Sequence, residues 1–499
     1  MMTPRLMPLA ATALILTLST PAMAQDFDLP PVLPGDSGAG SVPMQQNSSG
    51  AAQNNFDLPP TVGDLPPSLE PLPASGNATA QGASAQDQPR FNFLRHGTLE
   101  LETRLFRNTP LTGTSAAALR LQAHYYGSRA LGPNASLLFN LRARTDRVEG
   151  QSYSFADDFS LDVQELALTY SLGAQTSLQI GRINIRNGVA SGFNPTDWFR
   201  DNSLVLTGSA AAADRRNERL GVLALTATTT LGQTLVQAGY RPEIKASSGS
   251  IWSDRDNYGL SLDRTNASEA FFIKATPNIG DNLSLTANAL MLDGDPGVGF
   301  ELSGTIGDNL VLYSEVMAQR RLSLAAEALA GGEGSTALRA GLGADESRKW
   351  HVQSALGLNW ALPQNLVGMR DISLTFEHHL NTGGLSGNEI DTLATASGAD
   401  LAATGLLYGL ANRRQAPLAR QQLFTRIAWN DIWGDSDLAM LAYYVPEDSS
   451  GLGQISLDVP IGQNATLNLR AVQSFGDTQS IYGANPTKRS VQAAMIWRF

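Results

Sequence analysis

From Phe91 to Phe499 the chain is written in a period of two, and few constraints on a fold are stronger. In "GTLELETRLF" (97–106), Leu99, Leu101 and Leu105 share one face, while Glu100, Glu102 and Arg104 share the other. "ALRLQAHYY" (118–126) sets Leu119, Leu121, Ala123 and Tyr125 against Arg120, Gln122, His124 and Tyr126. "SLLFNLRART" (136–145) sets Leu137, Phe139, Leu141 and Ala143 against Asn140, Arg142 and Arg144. Successive side chains of a strand point to opposite faces, so alternation of this length specifies strands with one apolar and one polar side.

The turns repeat as well. "SLGAQTSLQIG" (171–181), "TLGQTLVQAG" (230–239), "NIGDNLSLTA" (278–287), "TIGDNLVLYS" (305–314) and "PIGQNATLNL" (460–469) share one plan: Leu or Ile, then Gly, then polar residues, then a new alternating strand. Gly and Asn or Asp supply the positive φ that tight turns need. "ALGPNA" (130–135), "ALPQNLVGMRD" (361–371) and "DIWGDSD" (431–437) follow the plan less closely and bring the short turns to eight. Between them lie longer connections, at roughly 187–218, 242–257, 321–349 and 381–420. Short turns alternating with long loops are expected of a transmembrane, antiparallel, up-and-down β-barrel. With both termini on the short-turn side, eight turns imply about 18 strands. A count of 16 also fits, because 257–276 reads either as one long strand or as something less regular.

The N-terminus supplies an address. Residues 1–24 carry a basic Arg5, an apolar run from Leu6 to Leu18 and a small-x-small ending at Ala22-Met23-Ala24. That is the pattern of a cleaved secretory signal peptide. Residues 25–90 are rich in Pro, Ser, Gly, Asn and Gln and read as a disordered periplasmic tail. Within it "FDLPP" occurs at 27–31 and 56–60 and "DLPP" at 64–67, either a docking motif for a periplasmic partner or a low-complexity duplication. The barrel domain is expected over 91–499.

The last strand, "SVQAAMIWRF" (490–499), alternates to the final residue. With Val491, Met495, Trp497 and Phe499 in place, it resembles the closing strand of Gram-negative outer-membrane β-barrels. That resemblance implies that Trp497 and Phe499 form a signal read by the outer-membrane assembly machinery, and that the strand pairs with 97–106. A narrower resemblance lies in "QIGRINIRNGVASGFNPTDWFRD" (179–201), where Gly181, Arg182, Gly188, Asn194, Pro195 and Asp197 are similar to a stretch in porin-like and alginate-export-like barrels. It implies a porin or an exporter and leaves the substrate open.

Two groups of residues are candidates for function. Arg104, Arg120, Arg142 and Arg144 fall on the presumed lumen face, and Arg182 and Arg186 would extend them into an Arg-lined wall that selects anions. The alternative is a mixed-charge wall neutralised by carboxylates such as Asp162, Glu165, Glu315 and Glu377. Asn194, Pro195 and Asp197 form a helix-start pattern, with Trp198 and Phe199 as the apolar face. The loop holding them is then either a constriction element in the barrel mouth or an ordered surface loop. Trp350, Trp360, Trp429, Trp433, Tyr443, Tyr444 and Trp497 are candidates for interfacial aromatic girdles.

Other chemistry has little to stand on. The chain has no Cys, which rules out disulfides and thiolate ligands, and its net charge of −11 opposes nucleic-acid binding. His378 and His379 are adjacent, so on a strand they face opposite sides and cannot readily share a metal. No nucleophile, acid pair or phosphate loop stands out; neither a cofactor nor an enzyme is expected. The expected partners are outer-membrane lipid and lipopolysaccharide; the oligomeric state is open. The expected function is a channel passing a polar solute or polysaccharide, an anionic one if the wall is Arg-lined, through an Arg-containing lumen. The alternatives are an exopolysaccharide exporter docked by its tail and a non-conducting structural or adhesive barrel.

Overall fold

A computed structural model describes residues 96–499, apart from 112, 204–207, 246–259, 281, 369 and 399. The expected signal peptide and the expected tail, with its FDLPP motifs, lie outside the described residues.

Eighteen strands form one sheet. They are β1 (Gly97–Pro110), β2 (Ala116–Ala130), β3 (Ala135–Val148), β4 (Phe159–Ser171), β5 (Thr176–Ile183), β6 (Val222–Leu231), β7 (Thr234–Arg241), β8 (Ala270–Pro277) and β9 (Leu283–Leu292). The second nine are β10 (Asp295–Ile306), β11 (Leu310–Arg321), β12 (Lys349–Ala361), β13 (Asp371–Asn381), β14 (Gln421–Trp433), β15 (Ser436–Val445), β16 (Ser450–Ile461), β17 (Ala465–Phe475) and β18 (Thr487–Arg498). Each pairs antiparallel with its neighbours in the chain, and β1 pairs with β18, so the sheet closes. The closing register sets Glu100 opposite Arg498 and Leu101 opposite Trp497. Phe499 continues it: its amide donates to Leu99 O at 2.9 Å and its carbonyl accepts from Leu99 N at 3.1 Å. Closure leaves no backbone edge unpaired, which a sheet in hydrocarbon requires.

All eight expected turns connect strands at one end, with both ends of the barrel chain beside them. Gly232 and Gly462 take φ of 63° and 68° there, as the turn plan requires. The apolar residue before each turn glycine also gains a reason. Leu172, Leu231, Ile279, Ile306 and Ile461 are all exposed, and alternation points them outward at the foot of the barrel.

The opposite end carries the long connections. Of the two readings of 257–276, the less regular one holds over its described residues: a short helix, Leu262–Thr265, precedes β8. The β9–β10 connection is only residues 293–294, where Asp293 and Gly294 take φ of 51° and 77° and close a two-residue hairpin.

The inside and outside of the barrel are inverted relative to a soluble protein. Leu101, Leu105, Leu121, Leu225, Phe271, Phe300, Leu356 and Phe376 are exposed on its exterior, while Glu102, Arg104, Arg120, Glu315, Glu377 and Gln492 are buried in its interior. An apolar belt around a closed barrel is a lipid-facing surface. Tyr443 leaves the expected girdle: it points inward and is buried, as its place between buried Leu441 and Val445 on β15 dictates. Trp350, Trp433, Tyr444 and Trp497 are exposed.

Candidate functional site

The lumen is defined by one loop. Residues 184–221 leave β5, cross the bore and return to β6. In a ring of 18 strands, those nine positions away lie opposite, and the loop is held there by β13, β15 and β16. Its sequence explains the route. "NGVASGFNPTD" has no apolar period from which to build a core of its own, but it offers a run of backbone N–H groups.

Two wall carboxylates take up those donors. Glu315 on β11 accepts from the amides of Val189 (3.1 Å), Ala190 (3.2 Å) and Thr196 (2.7 Å). Glu377 on β13 accepts from the amides of Ser191 (2.5 Å) and Gly192 (2.9 Å), from the Tyr313 hydroxyl (2.5 Å) and from His379 Nε2 (2.6 Å). Charged acceptors make these bonds stronger than neutral ones, and their burial makes them costly to break. The contact is close enough to require glycine. A Cβ at Gly192 would lie 2.6 Å from the Phe424 ring, and Gly188 holds φ of 98° against Asn194 and Glu315. Glu315 and Glu377, the arginine wall's partners in the mixed-charge alternative, bond instead to the loop and, for Glu377, also to Tyr313 and His379.

The expected helix at Asn194 does not form. Asn194 Nδ2 donates back to Ala190 O at 2.6 Å, and Asn194–Asp197 closes as a turn, followed by a single 3-10 turn at Trp198–Arg200. The wall outcompetes the local cap. The Thr196 amide, which a helix start would leave to the Asn194 side chain, goes to Glu315 instead. Trp198 and Phe199 face the wall, packing on Phe272 at 5.7 and 5.5 Å between ring centroids, among Ile185, Val222 and Leu290. Asp197 is fully buried and paired with Arg219. Burial pushes the Arg219 guanidinium down to about 10, with Asp197 opposing the shift, so the guanidinium keeps its charge at neutral pH.

The returning half of the loop, with a short helix at Ala212–Asn217, reaches the other side of the wall. Asp214 meets Arg470 on β17 at 3.2 Å, Glu218 pairs with Arg142 on β3, and Ala210 N donates to Gln454 on β16 at 2.7 Å.

The candidate arginines are distributed along this arrangement. Arg104 is fully buried, donating to Glu102 at 2.6 Å and Gln492 at 3.0 Å. Arg120 forks onto Asp146 at 2.5 and 2.9 Å, and Arg144 lies 3.8 Å from the same carboxylate. Arg182 donates to the carbonyls of Gly221 (2.9 Å) and Leu260 (2.6 Å). Glu102, Asp146 and Glu218 pair with this wall, the last from the loop, which spacing along the strands could not reveal; Asp162, expected among its acids, stands opposite Arg142 and acts by its charge on Arg144 and Arg182. Arg186 differs from the others. It sits on the inserted loop between buried Ile185 and Asn187, yet its side chain is solvent-accessible; it forms no ion pair among the described residues, although Glu165, expected among the wall's acids, acts on it by its charge.

Above the loop, residues 322–348 and 382–420 build a helical cap. Four helices, Leu324–Ala328, Thr336–Gly341, Gly387–Ala394 and Asp400–Arg414, enclose Leu324, Leu329, Leu338, Ile390, Leu393, Leu407 and Leu410. Cap and inserted loop are joined. Arg414 meets Asp201 at 3.0 Å and also pairs with Glu327, Arg200 Nε donates to Arg414 O at 2.8 Å, and Asn202 N donates to Arg413 O at 2.9 Å.

No known protein family and no curated protein matches this sequence. Several solved structures are similar in shape. The outer membrane protein OpdK from Pseudomonas aeruginosa is 10% identical with a TM-score of 0.46, covering 81% of this chain and 99% of its own. OprD from the same organism is 10% identical with a TM-score of 0.42, covering 81% and 94%, and OccD3 (OpdP) is 10% identical at 0.42, covering 81% and 91%. The architecture is porin-like. That statement rests on the closed 18-strand register, since likeness at these scores assigns no activity.

Proposed function

We propose that the protein is a narrow channel of the Gram-negative outer membrane, passing small polar solutes and favouring anions. The observation that carries this reading is the loop 184–221, fastened by Glu315 and Glu377 across a polar bore inside an apolar exterior. A purely structural or adhesive barrel gains nothing from an ordered element in its lumen, whereas a channel gains a size limit. The same element weighs against export of a folded or bulky polymer. Anion preference is the finer part of the proposal. It follows from Arg186, exposed on the inserted loop, where a lumenal cation sets the sign of the permeating ion. The remaining arginines act through their carboxylate partners as a polar, mixed-charge lining.

Planar-bilayer recording tests both parts. The purified barrel is expected to conduct in small discrete steps, with a reversal potential under a salt gradient that indicates anion preference. R186E is expected to move that potential toward cations without changing assembly. A barrel that inserts and never conducts would overturn the channel reading; one whose reversal potential ignores R186E would overturn the anion part alone.

A further inference from the structure

The rim at the long-loop end handles its cations in two ways. In the sector from β10 to β14 they meet acids. Arg320 and Arg348 both face Asp295, Lys349 lies 2.6 Å from Asp345, and Arg420 lies 3.3 Å from Glu389. In the sector from β18 through β1 and β2 to β3, the outward-facing cations are Arg489, Arg107 and Arg147. All three are exposed, and none has an ion pair among the described residues.

The register places them together. Arg107 stands opposite Val491, two residues from Arg489, and Thr109 stands opposite Arg489. Arg147 stands opposite Leu119, which stands opposite Leu105 on β1, two residues from Arg107. Arg489 Nε donates to Gln473 at 3.0 Å, which fixes the stem and leaves the fork of the guanidinium outward. Lys488 adds an exposed cation beside Arg489, and the acids nearby are Glu149, whose Oε2 accepts from Ala117 N at 3.2 Å, and Asp157 and Asp158 on the short helix Phe155–Asp158 that follows β3, where Asp158 accepts from Ser154 N at 2.6 Å. Asp158 and Glu149 are engaged with backbone amides, and the outward edge carried by the three arginines is positive.

Directly below that edge the exterior is apolar, with Leu105, Leu121 and Val491 exposed. The cations also sit near the strand ends, β1 at Pro110 and β18 at Thr487, each two residues beyond an exposed apolar residue of its strand, Leu105 before Arg107 and Val491 after Arg489. A cationic edge above an apolar wall is complementary to one kind of ligand: an anionic headgroup joined to acyl chains. Guanidinium groups bind phosphate oxygens through paired hydrogen bonds, and basic residues at a membrane surface draw anionic lipid.

We propose that the β18–β1–β2–β3 sector is a binding site for a phosphate-bearing glycolipid of the outer leaflet. The proposal rests on the outer-membrane reading above, with the long loops facing outward. Arg107, Arg147 and Arg489 hold the phosphates, and Leu105, Leu121 and Val491 support the acyl chains.

The test is native mass spectrometry of the full barrel in detergent, offered hexa-acylated lipid A carrying two phosphates or the same lipid with its phosphates removed. The wild type is expected to prefer the phosphorylated lipid by about tenfold. R107E/R147E/R489E is expected to lose that preference, and R320Q, in the acid-paired sector, to keep it. If the triple charge reversal fails to assemble, R107Q/R147Q/R489Q gives the same reading. A triple variant that keeps the preference would overturn the proposal. So would full competition by millimolar inorganic phosphate, which would mark a phosphate site with no need of lipid. Conductance recorded on the same preparations separates the two readings: a barrel that binds lipid selectively but never conducts fails as a channel and keeps this site.

Discussion

Two loops of nearly equal length meet opposite fates in this barrel. Residues 184–221 and 382–420 each join neighbouring strands at the same end. The first goes into the bore and the second stays above it. The second carries its own apolar spacing, with Ile390 and Leu393, then Ala403, Leu407, Leu410 and Ala411, and this folds helices that share a core with residues 322–348. The first carries glycines, short polar residues and arginines. It cannot bury itself, so it uses the wall: carboxylates for its amides and Phe272 for its aromatic pair. A loop with a core becomes a cap; a loop with spare donors is fastened inside the bore.

The sharpest way to break this comparison is to remove the wall's acceptors. In E315A/E377A the amides of Val189, Ala190, Ser191, Gly192 and Thr196 lose their partners. We expect a loss of about 4 kcal/mol or more, seen as a lower unfolding temperature in micelles, together with larger conductance steps. Unchanged steps would mean that the loop does not limit the pore. For the cap, L407A opens a cavity at a fully buried position and is expected to cost about 3 kcal/mol. The loss should be local: faster proteolysis within 400–414 with the barrel's own unfolding temperature unmoved. If the barrel melts with it, the cap is not a separate unit.

G192A probes the fit of the inserted loop without touching a charge. Its Cβ would meet Phe424 at 2.6 Å, within reach of Glu377 and His379, and should destabilise by about 2 kcal/mol. Hydrogen exchange at 188–196 is the measurement, with protection expected to fall there and to persist in the cap. The smallest effect is expected at the join. Arg414 is partly exposed, so a double-mutant cycle of R414A with D201N should give a coupling of about 1 kcal/mol. A coupling of zero would mean that the two loops merely touch.

Much of the barrel was legible because strands declare themselves locally. The alternation at 97–145 and the eight short turns gave the sidedness and a strand number of about 18, and the resemblance of 490–499 to a closing strand gave its partner. The candidate site was legible only in outline. Gly188, Asn194 and Asp197 drew attention to the right stretch, but the helix read there is replaced by a turn, because Glu315, over a hundred residues away, takes the amide a cap would need. Tyr443 read as one more girdle aromatic; the face of β15 on which it sits turns it inward, where its hydroxyl lies 3.1 Å from the Gly192 and Ala210 carbonyls. The cap helices were missed because 321–349 and 381–420 were read as loops by contrast with the strands around them, although the spacing of Ile390, Leu393, Leu407 and Leu410 was a usable signal.

The sequence by itself determined that this chain closes into a barrel with a polar inside, because alternation and turn chemistry act between residues a few positions apart. Which loop enters the bore, which carboxylates hold it, and which rim cations are left without acids were decided only by the closed sheet. Those outcomes depend on side chains from strands far apart in the chain being brought face to face across one lumen, and no local pattern encodes that distance.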